Sequence, residues 1–317
     1  MPFTFRLRAT TTPNRFLLPG DHDSPLVIAP EGVVPIELFI TQSGPAMPTE
    51  LIAIARGFES EATATEAGEK ARSALRAVGV ATGVALDLGR DESTGGPSDY
   101  LKDKAAEEGL ILRGRFDGLD VYEEGEVPVK VLSISFTGGY VSSPLNQFTD
   151  LLIHELTSRG VLAGDLSLAI DLYFLTDHEA SDRARFLNLV TAVEVLSTRE
   201  DRPETLIDLI DSFIAQTNLH ISTAPESDAE SARSLVGSLQ DLKKESIGSA
   251  IRGVVKRHIP DGEYFDGKPA GRFASDCYDA RSDLSHIGRS ATEISAVYGE
   301  LRRLVKTLLE RLLTEGE

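Results

Sequence analysis

A single cysteine, Cys277, stands in a chain of 317 residues. No intrachain disulfide can form, no zinc site can be built on cysteines, and no thiol pair exists for redox exchange. The expected role of Cys277 is a small buried apolar side chain. Long hydrophobic runs are missing too. None approaches the ~20 residues of a membrane span, and the opening MPFTFRLRATTTPNRF holds no apolar stretch of the signal-peptide kind. The expectation is a cytoplasmic protein with no membrane partner. Positive charge is scarce: 32 Lys and Arg against 50 Asp and Glu give a net charge of -18. A field of that sign repels polyanions in general, so any contact with nucleic acid has to be local. The hydrophobic share, 41%, excludes disorder throughout and suffices for one large domain or two ordinary ones.

The first half mixes short apolar runs with turn residues, as a sheet-containing domain does. Strands are predicted over 3–7, 33–40, 51–55, 84–88, 119–122 and 127–136. Between the third and fourth, Thr63 and Glu66 fit a capping box. Ala67, Ala71, Leu75 and Val78 then mark one helical face, which Gly79 and Gly83 end. A crossover of this length suits a parallel strand-helix-strand unit. Residues 90–100 read as an exposed loop. Ser143 before Pro144 reads as an N-cap, followed by a stripe of Leu145, Phe148, Leu152 and Leu156 and a stop at Gly160.

Beyond residue 160 the pattern is helical almost throughout. Helices are predicted over 165–175, 183–197, 204–216, 229–244, 246–258 and 291–313, with 222–231 as a loop. In the last helix Ile294, Val297, Leu301, Leu304, Leu308 and Leu312 form a stripe that suits a bundle helix or half of a dimer seam. The fold class expected is an α+β N-terminal domain over 1–160 followed by an all-α bundle over 161–317.

Two familiar motifs fail. His154-Glu155 opens like a zinc-protease helix, but Ser158 stands where the second histidine belongs. Gly262, Gly267 and Lys268 match the spacing of a phosphate-binding loop. Pro269 then replaces the magnesium-binding hydroxyl, and the bulky or acidic Glu263 to Asp266 fill the loop. What remains is YDARSDLSHIG from Tyr278, where an arginine, Arg281, is followed five residues on by His286.

That run follows RARFLNLVTAVEVLS from Arg183 and ESIGSAIRGVVKRHI from Glu245. Together, in this order, the three blocks resemble the Apea-like branch of the HEPN family over about residues 161–300. The segment from Leu51, LIAIARGFESEATATEAGEKARSALRAVGVATGVALDLG, is similar to the leader domain of such proteins. The resemblance implies an HEPN-like helical bundle, commonly a homodimer, and a metal-independent endoribonuclease that uses no cofactor. It also implies a toxin or defence effector, with an antitoxin or nucleotidyltransferase-like partner. The alternative is a catalytically silent sensor or adaptor that binds RNA, a nucleotide or a partner. The family's Arg/His signature falls on Arg281 and His286. Ser282 stands where active members often carry Asn, Asp or His, and Asp283 comes one place later.

The chemistry stands without the family. Cleavage of RNA by its own 2'-hydroxyl needs a base near neutral pH, which histidine supplies. It also needs a cation for the pentacoordinate phosphate, for which the arginine fork is suited. Residues five apart on a helix point about 140° from each other. A helix end near Gly288 or a facing motif from a second copy is therefore needed to join them. A structural alternative pairs Arg281 with Glu194 at the bundle edge. Locally the charge turns positive: residues 243–289 hold nine Lys or Arg against seven Asp or Glu. Arg252 and Lys256, one turn apart, and the adjacent Arg257 make a candidate phosphate-steering patch, or else a solvated helix face.

Overall fold

The computed structural model describes residues 1–12, 25–42, 49–95, 98–108, 111–113, 115–124, 129–131, 145–286 and 293–315. The N-terminal region runs β1 (Phe3–Thr11), β2 (Leu26–Ile28), β3 (Ile36–Gln42), β4 (Thr49–Phe58), α1 (Glu61–Thr82), β5 (Leu86–Asp87), β6 (Glu92–Gly95), α2 (Asp99–Glu107), β7 (Ile111–Arg113), β8 (Arg115–Glu123) and β9 (Val129–Val131). Helices follow: α3 (Leu145–Ser158), α4 (Gly164–His178), α5 (Asp182–Val195), α6 (Glu204–Ile221), α7 (Glu226–Asp241) and α8 (Ile247–His258). A short hairpin, β10 (Tyr264–Phe265) and β11 (Lys268–Pro269), precedes α9 (Ala270–His286) and α10 (Ile294–Glu315). Two compact units emerge, Met1–Leu189 with Leu309–Glu317, and Val190–Leu308. Residue 160 lies between α3 and α4, within the first.

In the first unit an antiparallel sheet is ordered β2-β3-β4-β1-β8-β6, with β5 also paired to β1. Strand β1 alternates: Phe5, Leu7 and Ala9 are buried apolar residues, and on its other face Arg6 stands in register with Asp120. Those two form a buried ion pair at 3.6 Å. The expected strand-helix-strand crossover takes a modified form. β4 and β5 point the same way, yet β1 lies between them and is antiparallel to both. Helix α1 starts earlier than the expected box. Ser60 is the N-cap and its box partner is Thr63, because the Ser60 hydroxyl accepts from the Thr63 amide. Gly79 does not end the helix. A Cβ there would come within 2.6 Å of the Phe174 ring, so the glycine admits α4, and the stop falls on left-handed Gly83.

Other boundaries also move. Part of the expected 90–100 loop forms β6, which pairs with β8. The expected strand over 127–136 is described only at Val129–Val131, and the Ser143-Pro144 cap lies outside the described residues. In α3 the stripe of Phe148, Leu152 and Leu156 is buried as expected. Arg159 beyond it donates to the Leu313 carbonyl at 3.0 Å. Bidentate bonds of 2.9 and 2.8 Å tie Arg76 of α1 to Asp171 of α4. No helix among the described residues is long and apolar enough to cross a membrane.

In the second unit α8 packs on α9 and α6 on α7. Amphipathy explains α8: Ala250, Ile251, Val254 and Val255 are buried while Arg252, Lys256 and Arg257 are exposed. Helix α7 begins directly after Pro225, which shortens the expected 222–231 loop to a tight connection. Of the expected α10 stripe, Val297, Leu301, Leu304 and Leu308 are buried within the chain and Ile294 and Leu312 are half-buried, so the stripe is a bundle face and not an open dimer seam. Residues 262–269, with the spacing of a phosphate-binding loop, form the β10–β11 hairpin instead. Asp266 and Gly267 occupy its turn at φ 48° and 70°. The Lys268 ammonium is held by Asp276 at 2.8 Å.

Candidate functional site

Arg281 and His286 both belong to α9, which stays helical through His286. Phe273, Cys277, Ala280 and Leu284 form the buried stripe of this helix. Arg281, four residues after Cys277, sits at the edge of that stripe and is half-buried. His286, about 140° further round, is exposed. One chain therefore does not aim the two at a common phosphate. The Arg281 guanidinium instead lies 3.4 Å from Glu194 of α5, as the structural alternative anticipates. Ser282 and Asp283 are half-buried beside it. Among the described residues no side-chain hydrogen bond or ion pair holds Ser282, Asp283 or His286.

The ion pair has a neighbour, Tyr278. Burial first, and then the Glu194 charge, push its phenol above the ordinary value, while Arg281 and Arg199 oppose the shift. Substituting Arg281 by Ala would leave the buried Glu194 Oε2 without its cation. The expected cost is about 1–2 kcal/mol, moderate because both side chains are a quarter or more exposed. Thermal unfolding of Arg281→Ala beside Arg281→Ala/Glu194→Gln checks this. The double variant should regain part of the loss, and equal melting points for the two would refute the stranded-charge account.

Two clefts flank α8. One, of about 450 Å³, is lined by Arg252, Lys256 and Arg257 together with Thr198, Ser249, Glu200 and Glu245. The other, of about 360 Å³, shares Arg252 and adds Arg199, Arg272, Tyr278, Asp241 and Asp279. All three basic residues anticipated from sequence thus converge on one concave surface. Arg257 is 3.4 Å from Glu200. Among the described residues Arg252 donates to its own helix alone, at the Gly248 carbonyl. Neither Arg252 nor Lys256 meets a carboxylate among the described residues. Gly271 of α9 lets the Lys256 stem lie close, since a Cβ there would be 3.2 Å from Lys256 Cγ.

A clasp closes one end of this region. Arg199 reaches both Asp241 carboxylate oxygens, at 2.7 and 3.2 Å, and the Glu245 carbonyl at 2.7 Å. The Arg202 amide donates to the Lys243 carbonyl at 2.8 Å, and the Glu245 amide to the Glu200 carbonyl at 3.0 Å. The Asp241 carboxyl is held below its ordinary range chiefly by its bond from Arg199. Glu245 is lowered chiefly by the Ser249 hydroxyl. The stability these carboxylates contribute is present above the ordinary carboxylate range. It is lost as pH falls through their depressed values.

Arg199, Arg272 and Tyr278 escaped sequence reasoning. Arg272 and Tyr278 share α9, but Arg199 lies some seventy residues earlier, and no spacing joins it to them. No group of His, Cys, Asp and Glu among the described residues is arranged to hold a metal ion. His154 is exposed, and its neighbour Glu155 is engaged by Arg159. Cys277 is buried, as expected, and burial pushes its thiol up to about 12. Comparison with known proteins finds no matching family model, no matching curated protein and no matching solved structure.

Proposed function

We propose that residues 190–308 form an HEPN-like module that binds RNA or a nucleotide through phosphate groups seated against α8. One observation carries the reading. Arg252 and Lys256, one turn apart, line a cleft of about 450 Å³ that also holds Glu200 and Glu245, yet among the described residues neither cation forms an ion pair, in a chain whose net charge is -18. A cation facing a carboxylate gains little from an incoming phosphate, whereas an unpaired one gains a charge-assisted hydrogen bond. Thr198, which lines the same cleft, adds a hydroxyl donor. Arg252 lies in both clefts, so a strand following it continues toward Tyr278, whose ring offers a base a stacking surface. Titration of a labelled single-stranded RNA with the full chain at several salt concentrations tests the proposal. Binding that is absent at low salt would end it.

A second reading, the metal-independent endoribonuclease of a toxin or defence system, is favoured by the exposure of His286 at the last position of α9. Since Arg281 and His286 diverge on one helix, this reading requires a second copy to complete the constellation. There His286 would exchange the proton of the 2'-hydroxyl and Arg281, released from Glu194, would clamp the phosphate. The check is metal-free incubation of mixed RNA with wild type and with His286→Ala. Products made only by wild type support cleavage. RNA bound yet left intact by both leaves α8 as a binding face and removes the catalytic role.

A further inference from the structure

Helices α6 and α7 pack on each other, and α6 buries none of its residues fully. Its sequence is nevertheless strongly apolar, ETLIDLIDSFIAQTNLHI. Placed on a 3.6-residue helix, its apolar side chains other than Ala215 and Leu219 span an arc of about 160°, wider than one neighbour covers. Ile207, Ile210 and Ile214, on one half of the arc, are half-buried. Leu206, Leu209 and Phe213, on the other half, stand 42%, 50% and 45% exposed. Helix α7 repeats the arrangement. Ala229 and Ala232 are buried, whereas Leu235 and Leu242, further round, are 51% and 50% exposed. In an antiparallel hairpin the sense of these rotations puts both open edges on the same side. Leu206, Leu209, Phe213, Leu235 and Leu242 therefore form one apolar face.

We infer that this face pairs with the same face of a second copy, so that two α6–α7 hairpins complete a four-helix bundle. Charge argues for a copy of this chain. At a net charge of -18, two copies repel each other over most of their surface. On α6 the acidic residues Glu204, Asp208 and Asp211 fall together on the side away from the apolar face. On α7 Glu226, Glu230, Arg233 and Asp241 are likewise turned away, leaving Asp228 as the one charged side chain on this side. The face is thus where two acidic chains meet without opposing rows of carboxylates, as an isologous contact requires. Area agrees. The five side chains leave about 400 Å² of apolar surface open, close to the roughly 450–500 Å² apolar share of an interface burying ~800 Å² per partner.

Light scattering of the full chain over a range of micromolar concentrations tests the inference. Wild type is expected to approach a mass twice 34.2 kDa. Leu209→Glu and Phe213→Glu should each weaken the dimer more than ~30-fold and leave the circular dichroism spectrum unchanged, since both positions are exposed in the single chain. Asp208→Lys, on the far side of α6, should leave the dimer in place. A wild type that stays monomeric throughout overturns the inference, and so does a dimer indifferent to both glutamate variants. The α8 surface is not part of this face, so the glutamate variants should still bind RNA.

Discussion

Replacing Arg252 and Lys256 together by alanine is expected to weaken RNA binding about 100-fold at low salt. It should also flatten the dependence of log affinity on log salt by about 1.4, the share of two phosphate contacts on a single strand. The two measurements act as separate checks. A patch that merely attracts RNA through its charge would lose affinity and keep nearly the same slope per remaining contact. Direct phosphate contacts release a fixed number of counterions, and the slope counts them. Both residues are exposed on α8, and the apolar residues that seat this helix, Ala250, Ile251, Val254 and Val255, are untouched. The folded state should therefore survive. Arg252→Lys refines the comparison, since it keeps the charge and loses the planar fork. Unchanged affinity and slope in the double variant would refute the assignment of phosphates to this cleft.

The largest expected effect on stability comes from a glycine in the first unit. Gly89 has φ +76°, and a Cβ placed on it would stand 2.2 Å from the Gly118 amide nitrogen and 2.6 Å from its Cα. Both neighbours are backbone, so no side chain can move aside. Gly118 itself has φ +89° and approaches Asp91, another left-handed residue. The Asp91 carboxylate in turn accepts from the Leu119 amide at 2.7 Å and from Arg72 of α1. Gly89→Ala is expected to cost ~3–5 kcal/mol, combining conformational strain with displacement of β8. Gly83 supplies the comparison. Its φ is +70°, but nothing lies within 4 Å of an added Cβ. Gly83→Ala should therefore cost only the left-handed penalty of ~1–2 kcal/mol. Chemical denaturation of the two variants separates steric contact from dihedral strain, and equal losses would show that the Gly89 contact relaxes freely.

What could be read from sequence was what a single segment encodes. The 3.6-residue recurrence in 246–258 placed α8 and put Arg252, Lys256 and Arg257 on its solvent side, where the structure has them. The stripe of α3 was legible for the same reason. Caps were less so: Thr63 has the right chemistry for an N-cap, but the serine three residues earlier takes the role, with Thr63 as its reciprocal partner. The insertion of β1 between β4 and β5 was not legible, because strand pairing is set by residues tens of positions apart. Nor could spacing reveal Arg199 and Tyr278, which meet the α8 cleft only after α5, α8 and α9 are formed. Gly79 was misread as a stop because its meaning lies in a contact with Phe174, nearly a hundred residues away.

The clasp around Arg199 has a consequence for how the chain is assembled. Arg202 and Lys243 are joined amide to carbonyl, so the forty residues between them, the whole α6–α7 hairpin, leave the main path and return to the point of departure. Such a loop of chain is a closed excursion. Its ends stay fixed by Arg199 on the Glu245 carbonyl and, where the last residue of α7 is kept, on Asp241. Natural variation, or a protein engineer, can therefore lengthen, trim or exchange it while α5 still hands over to α8 in the same register. The proposed assembly face and the proposed phosphate face of this region are, in that sense, separately replaceable parts.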